Sequence, residues 1–540
     1  MPEPSYDDLY RDFRWDLPAH FNIGVAIADR WAAIDPGRTA LIEYRASGHP
    51  ARLSFGELAG QSNAFANALR KHGVGRGDRV ALLLPQSFET VIAHAAIYKL
   101  GAIAVPMAML FGVEALEYRL QTAGVRAVVT NAAGNAKIGR IAGRLPSLNV
   151  TILTEGDEPA DFHRLVPSHS PDLDAVETSP DDPAMMIFTS GTTGPPKGAL
   201  HGHRVLLGHL PGFDMAYDFP PRPDDLMWTP ADWAWAGGLL NALLPSLFHG
   251  VPVVFSRHDK FDPEAALLLM QHMRVRNAFI PPTALRMLKG VPDIAKRFDL
   301  TLRSVCSAGE ALGRETYEWA ASELGVTPNE MYGQTECNLV IGSSAAHGVS
   351  RAGTTGKPVP GHRVAIIDAA GHIASAGEIG EIAIARPDPV MFLGYWDNPE
   401  ATEKKFIGDW MTTGDQGVMD EDGYIHFLGR DDDVITSAGF RIGPGEIEDC
   451  LTGHPAIAFA AVIGKPDPLR TEIVKAYVVL KDGYTPSLEL AEEIKAWVRE
   501  RLSAHEYPRE VAFVDSMPLT TSGKVIRRIF RERARREAGA

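Results

Sequence analysis

Cysteine is scarce in this chain: Cys306, Cys337 and Cys450 are its only thiols in 540 residues, and they lie far apart. An odd number of scattered cysteines without metal-ligand spacing argues against a disulfide framework or a zinc cluster. It fits free thiols in a reducing compartment, so a cytoplasmic location is expected. Long basic blocks are missing from the first 500 residues and the net charge is −15 at pH 7, which argues against a nucleic-acid or anionic-membrane surface. Any anionic ligand must therefore be met by local cations. The start, Met1-Pro2-Glu3-Pro4-Ser5-Tyr6-Asp7-Asp8, is acidic and polar where a secretory signal would be basic and then apolar. Only Trp233 to Ser256 is uncharged over a membrane-spanning length, and Gly237, Gly238, Asn241, Pro245, His249, Gly250 and Pro252 interrupt it. A buried helix and strand is expected there, with no membrane span. No tandem repeat or long low-complexity segment is visible.

A chain this long predicts roughly two to four domains. Ser54 and Glu57 form a capping-box pattern ahead of Leu58, Phe65 and Leu69, a helix that His72-Gly73 ends. Apolar strands at 80–84, 103–105 and 127–129 alternate with helices at 88–100 and 113–122, which implies a parallel sheet covered by helices. Residues 154–183 read as a polar, Pro-rich connection. Alternation resumes through strands at 253–255, 278–280 and 304–308 and a helix at 263–273. From about 360 to 430 short strands with Gly/Asp turns (364–367, 381–384, 424–428) predict a small β-rich subdomain. After 430–433 the pattern restarts as a separate α+β unit, with helices at 445–451 and 488–502 and strands at 458–463, 475–480 and 511–514.

Between Phe188 and Gly198 stand three glycines, four hydroxyl side chains and Lys197. Glycines let successive N–H groups point at one anion, so the stretch suits a polyphosphate; the same residues also make an ordinary surface turn. It is not a Walker A loop, because Lys197 is followed by Gly198 and no Ser or Thr.

Four further stretches accompany it: Met331-Tyr332-Gly333-Gln334-Thr335-Glu336, Thr413-Gly414-Asp415, Leu428-Gly429-Arg430-Asp431-Asp432-Asp433 and Pro518-Leu519-Thr520-Thr521-Ser522-Gly523-Lys524. In this order they resemble the signature motifs of the adenylate-forming superfamily of acyl-CoA synthetases, adenylation domains and luciferases. Ser437-Ala438-Gly439-Phe440-Arg441-Ile442-Gly443-Pro444 and Ala504-His505-Glu506-Tyr507-Pro508-Arg509 most resemble the AMP-forming short- and medium-chain acyl-CoA synthetases. The resemblance implies an α/β fold: a large N-terminal domain, 1–431, of helix-covered sheets with the β-rich subdomain, then a small mobile α+β domain, 432–540, hinged at Asp432. It implies a two-step ligase of fatty acid metabolism that makes acyl-AMP and pyrophosphate from a carboxylic acid and ATP, then acyl-CoA and AMP from acyl-AMP and CoA.

By the same resemblance Thr189, Ser190, Gly191, Thr192, Thr193, Gly194 and Lys197 wrap the β- and γ-phosphates. Thr335 bonds the α-phosphate, Glu336 holds magnesium, and Lys524 bridges the carboxylate and the α-phosphate as the catalytic cation. Tyr332 stacks on adenine beside Gly309-Glu310-Ala311, Gly333 and Gln334, while Asp415 and Arg430 hold the ribose. After rotation Ser437, Ala438, Gly439, Phe440 and Arg441 form the CoA site. Gly333 stands where acetate-specific relatives carry a tryptophan plug, and Trp235, Ala236 and Gly237 match a pocket-lining segment. The implied acid is larger than acetate: straight medium-chain, branched short-chain or aryl. The context of Lys524 resembles the site of a lysine acetyltransferase, and its alternative setting is a solvated basic tail with Arg527, Arg528, Arg531, Arg533, Arg535 and Arg536. Loading of a carrier protein, and a non-catalytic nucleotide-binding protein, are the other readings.

Overall fold

The computed structural model describes residues 5–155, 160–189, 195–257, 260–430, 433–437, 440–467, 470–502, 506–520 and 524–538. The side chains of Phe440 and Arg441 lie outside this description. The capping box forms as expected: the Glu57 N–H donates to Ser54 Oγ at 3.2 Å and the Ser54 N–H donates to Glu57 Oε2 at 2.8 Å, opening helix Phe55–Lys71. Its apolar stripe, including Leu58, Phe65 and Leu69, is buried against helix Phe88–Lys99. Burial of that continuous face, more than helix propensity, holds the pair together.

A seven-stranded sheet is built around Arg79–Leu83, flanked in parallel by Ile103–Pro106 and Ala127–Thr130. It extends to Val150–Leu153 on one side and to Pro183–Phe188 on the other, both parallel. Gly198–Gly202 then runs back antiparallel beside Pro183–Phe188, with Phe188 opposite Gly198, and Gly394–Tyr395 pairs with it. The strands on either side of the 188–198 stretch are thus antiparallel partners, a pairing the strand pattern did not anticipate. A second, nine-stranded sheet has parallel Val253–Phe255, Met227–Trp228, Asn277–Phe279, Ser304–Ala308 and Asn329–Tyr332 at its centre. Its core strands are nearly solvent-free, as expected of strands covered on both faces.

The segment at 154–183 is more than a connection. A short helix, Phe162–Leu165, drives Phe162 against Phe65 with ring centroids 4.6 Å apart. The β-rich subdomain is an antiparallel sheet of Val364–Ile367, Ile379–Ala385, Trp410–Met419 and Phe406–Ile407, with Ile425–Arg430 also paired to Trp410–Met419. Asp415 therefore stands within a strand and not in a turn. The C-terminal unit has its own sheet of Phe440–Ile442, Ile435–Ser437, Thr471–Leu480 and Ile457–Asp467, with Glu510–Phe513 parallel to Thr471–Leu480.

The basic tail forms helix Arg527–Ala538 and is not simply a solvated face. Phe530 stacks on Tyr477 at 4.2 Å, Arg527 pairs with Glu448 at 2.6 Å, and Arg531 pairs with Asp433 at 3.1 Å. Asp433 is thereby tied to the C-terminal body. All three cysteines are free, and among the described residues no helix is long and apolar enough to cross a membrane. Trp233 to Ser256 is indeed buried helix and strand.

Helix Arg204–Ala216 follows strand Gly198–Gly202 and packs on the chain that leads to Tyr395. Arg204 donates to the Asp388 carbonyl at 3.0 Å, and a Cβ on Gly208 would stand 2.4 Å from the Val390 nitrogen. Gly208→Ala is expected to destabilise the fold by about 1–3 kcal/mol through overpacking; an unchanged denaturant midpoint would show that this contact is slack.

Candidate active site

Parallel strands aim their carboxyl ends at one region, and loops there are the usual place for ligands in α/β sheets. Strand Ser304–Ala308 ends at Gly309-Glu310-Ala311, and its parallel neighbour Asn329–Tyr332 ends at Gly333-Gln334-Thr335-Glu336. In the other sheet Pro183–Phe188 ends at the glycine- and hydroxyl-rich stretch, across whose base the Thr189 N–H donates to the Lys197 carbonyl at 2.9 Å.

Three motifs distant in sequence meet at Asp415. Tyr332 Oη and Gln334 Nε2 each donate to Asp415 Oδ2 at 2.6 Å, and Gln334 also donates to the Thr413 carbonyl at 2.8 Å. Arg430 is the register partner of Asp415 on the adjacent strand. Burial pushes the Asp415 carboxyl above its ordinary range, opposed by Tyr332, Arg430, Gln334 and Lys405. Both donors meet on the one oxygen, Oδ2. Tyr332 is thus fixed at its hydroxyl, leaving its half-buried ring as the flat surface.

A second convergence joins Lys197 to Glu336. The Tyr395 hydroxyl donates to Glu336 Oε1, while the ring of Tyr395 lies 5.0 Å beneath Lys197 Nζ. Burial, then the Glu336 charge, push the Tyr395 hydroxyl well above its usual range, so it stays a donor. One oxygen of buried Glu336 is held by this donor. The other can meet a cation whose remaining ligands are phosphate and water, the coordination magnesium prefers. Among the described residues no group of three acidic, His or Cys side chains could hold a metal unaided.

Tyr395 was absent from the sequence-derived site; the signal was an aromatic pair, Tyr395-Trp396, directly after Gly394. His201 was also missed. It is buried on strand Gly198–Gly202 with the Thr335 backbone beside its ring, and burial pushes its pKa down to about 4. A neutral imidazole therefore backs the half-buried Thr335.

Lys524 comes from the C-terminal unit on a tight hairpin. Its N–H donates to Thr520 Oγ1 at 3.0 Å, and the Thr520 N–H donates to the Lys524 carbonyl at 2.7 Å. Its Cε lies 4.0 Å from where a Cβ on Gly309 would be, so the ammonium reaches the carboxyl end of strand Ser304–Ala308. Glu310 turns aside to pair with Arg286 at 3.1 Å, and Arg286 also donates to the Ala311 carbonyl at 3.2 Å.

The pocket expectation needs one correction. A Cβ on Gly333 would fall 0.9 Å from the Asn338 carbonyl oxygen, so this backbone demands glycine for its own turn. The missing side chain does not by itself measure the acyl space. Trp235 packs edge-on to Phe111 at 5.7 Å, and Gly237 faces Phe279, the last residue of strand Asn277–Phe279; Ala236 stands between them in the chain. Ser437 and Phe440 face each other in a hairpin of the C-terminal sheet. Ser190, Gly191, Thr192, Thr193, Gly194, Asp432, Ala438 and Gly439 lie outside the described residues, as do the side chains of Phe440 and Arg441.

Residues 28–396 match the family model described as AMP-binding enzyme, and residues 446–524 match the AMP-binding enzyme C-terminal domain. The chain is 34% identical to acetyl-coenzyme A synthetase of Bacillus subtilis (strain 168) over 545 residues, covering 98% of this chain and 94% of the relative. It is also 34% identical to the mitochondrial acyl-coenzyme A synthetase ACSM4 of Mus musculus, covering 96% of this chain and 91% of that one. Its fold is similar to that of the anthranilate CoA ligase AuaEII in complex with anthranoyl-AMP, at TM-score 0.90 and 29% identity, with 97% of this chain and 99% of the other covered.

Just before Tyr332, Glu330 is buried and accepts the Leu312 N–H at 3.1 Å. Burial drives its pKa up to about 8, reinforced by Asp449 and opposed by Arg286. A carboxyl raised in the folded state contributes most below its unfolded pKa, and that contribution is lost as pH rises toward 8. Glu330→Gln is therefore expected to gain stability over wild type progressively between about pH 5 and 8. Parallel pH profiles of the two in chemical denaturation would contradict the assignment.

Proposed function

The chain belongs to the AMP-binding enzyme family of acyl-CoA synthetases, and we propose that it activates a carboxylic acid larger than acetate, with a short-to-medium, branched or cyclic acyl group. The observation that carries the site assignment is the meeting of Lys524 with Gly309 beside the Asp415 and Glu336 clusters. The acyl group is assigned to the surface near Trp235, Ala236 and Gly237, whose aromatic neighbours Phe111 and Phe279 suit an apolar chain or ring. Each CH₂ buried there contributes about 0.8 kcal/mol.

In the first step a carboxylate oxygen attacks the α-phosphorus of ATP in line, the bond to the β-phosphate bridging oxygen breaks, and pyrophosphate leaves. Lys524 neutralises the two approaching anions, Thr335 donates to the α-phosphate, and the 189–197 stretch with Lys197 holds the departing phosphates. Asp415 and Arg430 hold the ribose, and Tyr332 supports the base with Gly309, Glu310, Ala311, Gly333 and Gln334. Glu336 would hold a magnesium ion, which when bound screens phosphate charge.

In the second step the CoA sulfur attacks the acyl carbonyl and AMP leaves. We assign the domain boundary to 431/432 with Asp432 as hinge, a reading supported by the ion pairs that tie the next residue, Asp433, to Arg527 and Arg531 of the C-terminal helix. Rotation carries Lys524 out and brings the Ser437–Arg441 hairpin in, Gly439 leaving room for the pantetheine arm. Lys524 is exposed on its hairpin and within reach of an acetyltransferase, and acetylation would remove the charge that the first step uses.

Lys524→Ala should cut carboxylate-dependent ATP–pyrophosphate exchange by about 10²–10³-fold. Thioester formation from supplied acyl-AMP should stay within about twofold. Lys197→Ala should lose only about tenfold in exchange, since it faces the leaving group. Equal losses in both half-reactions for either variant would overturn these roles. Across acetate, butyrate, hexanoate and benzoate, kcat/KM is expected to be lowest for acetate; an optimum at acetate would overturn the substrate assignment.

A further inference from the structure

The segment that receives Lys524 also receives a second side chain of the C-terminal domain. Between strand Ser304–Ala308 and helix Arg314–Glu323 the chain reads Gly309-Glu310-Ala311-Leu312-Gly313, and both glycines have left-handed φ, +103° and +80°. The N-cap position of the helix is Gly313, which has no side chain to satisfy the first N–H groups. The acceptor comes from the other domain. Asp449, on helix Pro444–Thr452, takes the Arg314 N–H on Oδ2 at 2.9 Å, and the Glu315 N–H also points at its carboxylate. A carboxylate there is favoured by the helix dipole as well as by the bonds.

The fit around this contact is close. A Cβ on Gly313 would stand 2.0 Å from Asp449 Oδ1, and one on Gly453, at the end of the same C-terminal helix, would stand 2.5 Å from Glu315 Oε2. Arg527, three residues after Lys524, lies within electrostatic reach of Glu310. Burial and the nearby Glu315 push Asp449 up to about 6, opposed by the two backbone N–H groups and Arg286; at neutral pH the carboxylate still prevails.

We propose that Asp449 is a positioning residue for acyl-AMP formation: by capping helix Arg314–Glu323 across the domain boundary, it docks the C-terminal domain with Lys524 against Gly309. This rests on the two-step reading above. Rotation must break the cap, so Asp449 favours the first arrangement at the expense of the second, and its loss shifts the balance between them. No covalent role is assigned to it.

The test compares full-length wild type, Asp449→Ala, Asp449→Asn and Gly313→Ala. Backbone hydrogen exchange is followed in peptides covering 309–318 and 518–526, and the two half-reactions are measured with whichever of butyrate, hexanoate and benzoate wild type activates fastest. Asp449→Ala is expected to speed exchange in both peptides and to lower ATP–pyrophosphate exchange about fivefold to tenfold, the worth of an N-cap. Thioester formation from supplied acyl-AMP should be unchanged or faster. Asp449→Asn, which keeps an acceptor oxygen, should fall between Ala and wild type. Gly313→Ala, whose methyl occupies the place of the carboxylate, should behave like Asp449→Ala and decides the matter if that variant is unstable. Faster hydrogen exchange confined to 309–318, or equal loss in both half-reactions, would overturn the proposal. A wild type that activates none of the acids would instead count against the substrate reading, and the hydrogen-exchange arm would still decide the docking role.

Discussion

Everything at the candidate site depends on where parallel strands end. A parallel strand buried on both faces leaves its last residues as the first place where the chain can leave the core, so polar loops gather at that edge. Phe188, Ala308 and Tyr332 are such last residues, in two sheets. The apolar core thus decides the position of chemistry it does not itself contain. The antiparallel subdomain then brings Asp415 and Arg430 alongside by register, without a loop of its own.

Polar bonds across that edge convert proximity into defined geometry. Asp415 of the antiparallel subdomain is held by Tyr332 and Gln334 at the end of a strand in the nine-stranded sheet, and Glu336 by a tyrosine of an edge strand that pairs with Gly198–Gly202. Such bonds are costly to leave unmade once buried, which orients each carboxylate before any ligand arrives. The C-terminal domain meets this edge through a capped helix end, a lysine over a glycine, and an arginine near Glu310.

Local signals were legible where one residue pattern has one physical outcome. Ser54 with Glu57 meant a capping box, and the apolar runs at 80–84, 103–105 and 127–129 meant parallel strands. The pattern was silent or misleading where the outcome depends on a distant partner. Gly198–Gly202 becomes a strand only because Pro183–Phe188 and Gly394–Tyr395 are there to pair with it. Gly333 suggested an open pocket, whereas the turn carbonyl of Asn338 accounts for it. Tyr395 carried no motif strong enough to nominate it, although it links Lys197 to Glu336.

By itself the amino-acid sequence determined the class of fold, the order of the motifs and the chemistry they resemble, because hydrophobic period, caps and residue types are local properties of the chain. Only the tertiary structure decided which oxygen of Asp415 takes the Tyr332 and Gln334 donors, that an aromatic ring links Lys197 to Glu336, and that Asp449 closes a helix in the other domain. Those are contacts between residues distant in sequence, 198 positions apart for Lys197 and Tyr395 and 135 for Arg314 and Asp449. Their distances are set by how whole sheets and helices pack, which no short stretch of sequence encodes.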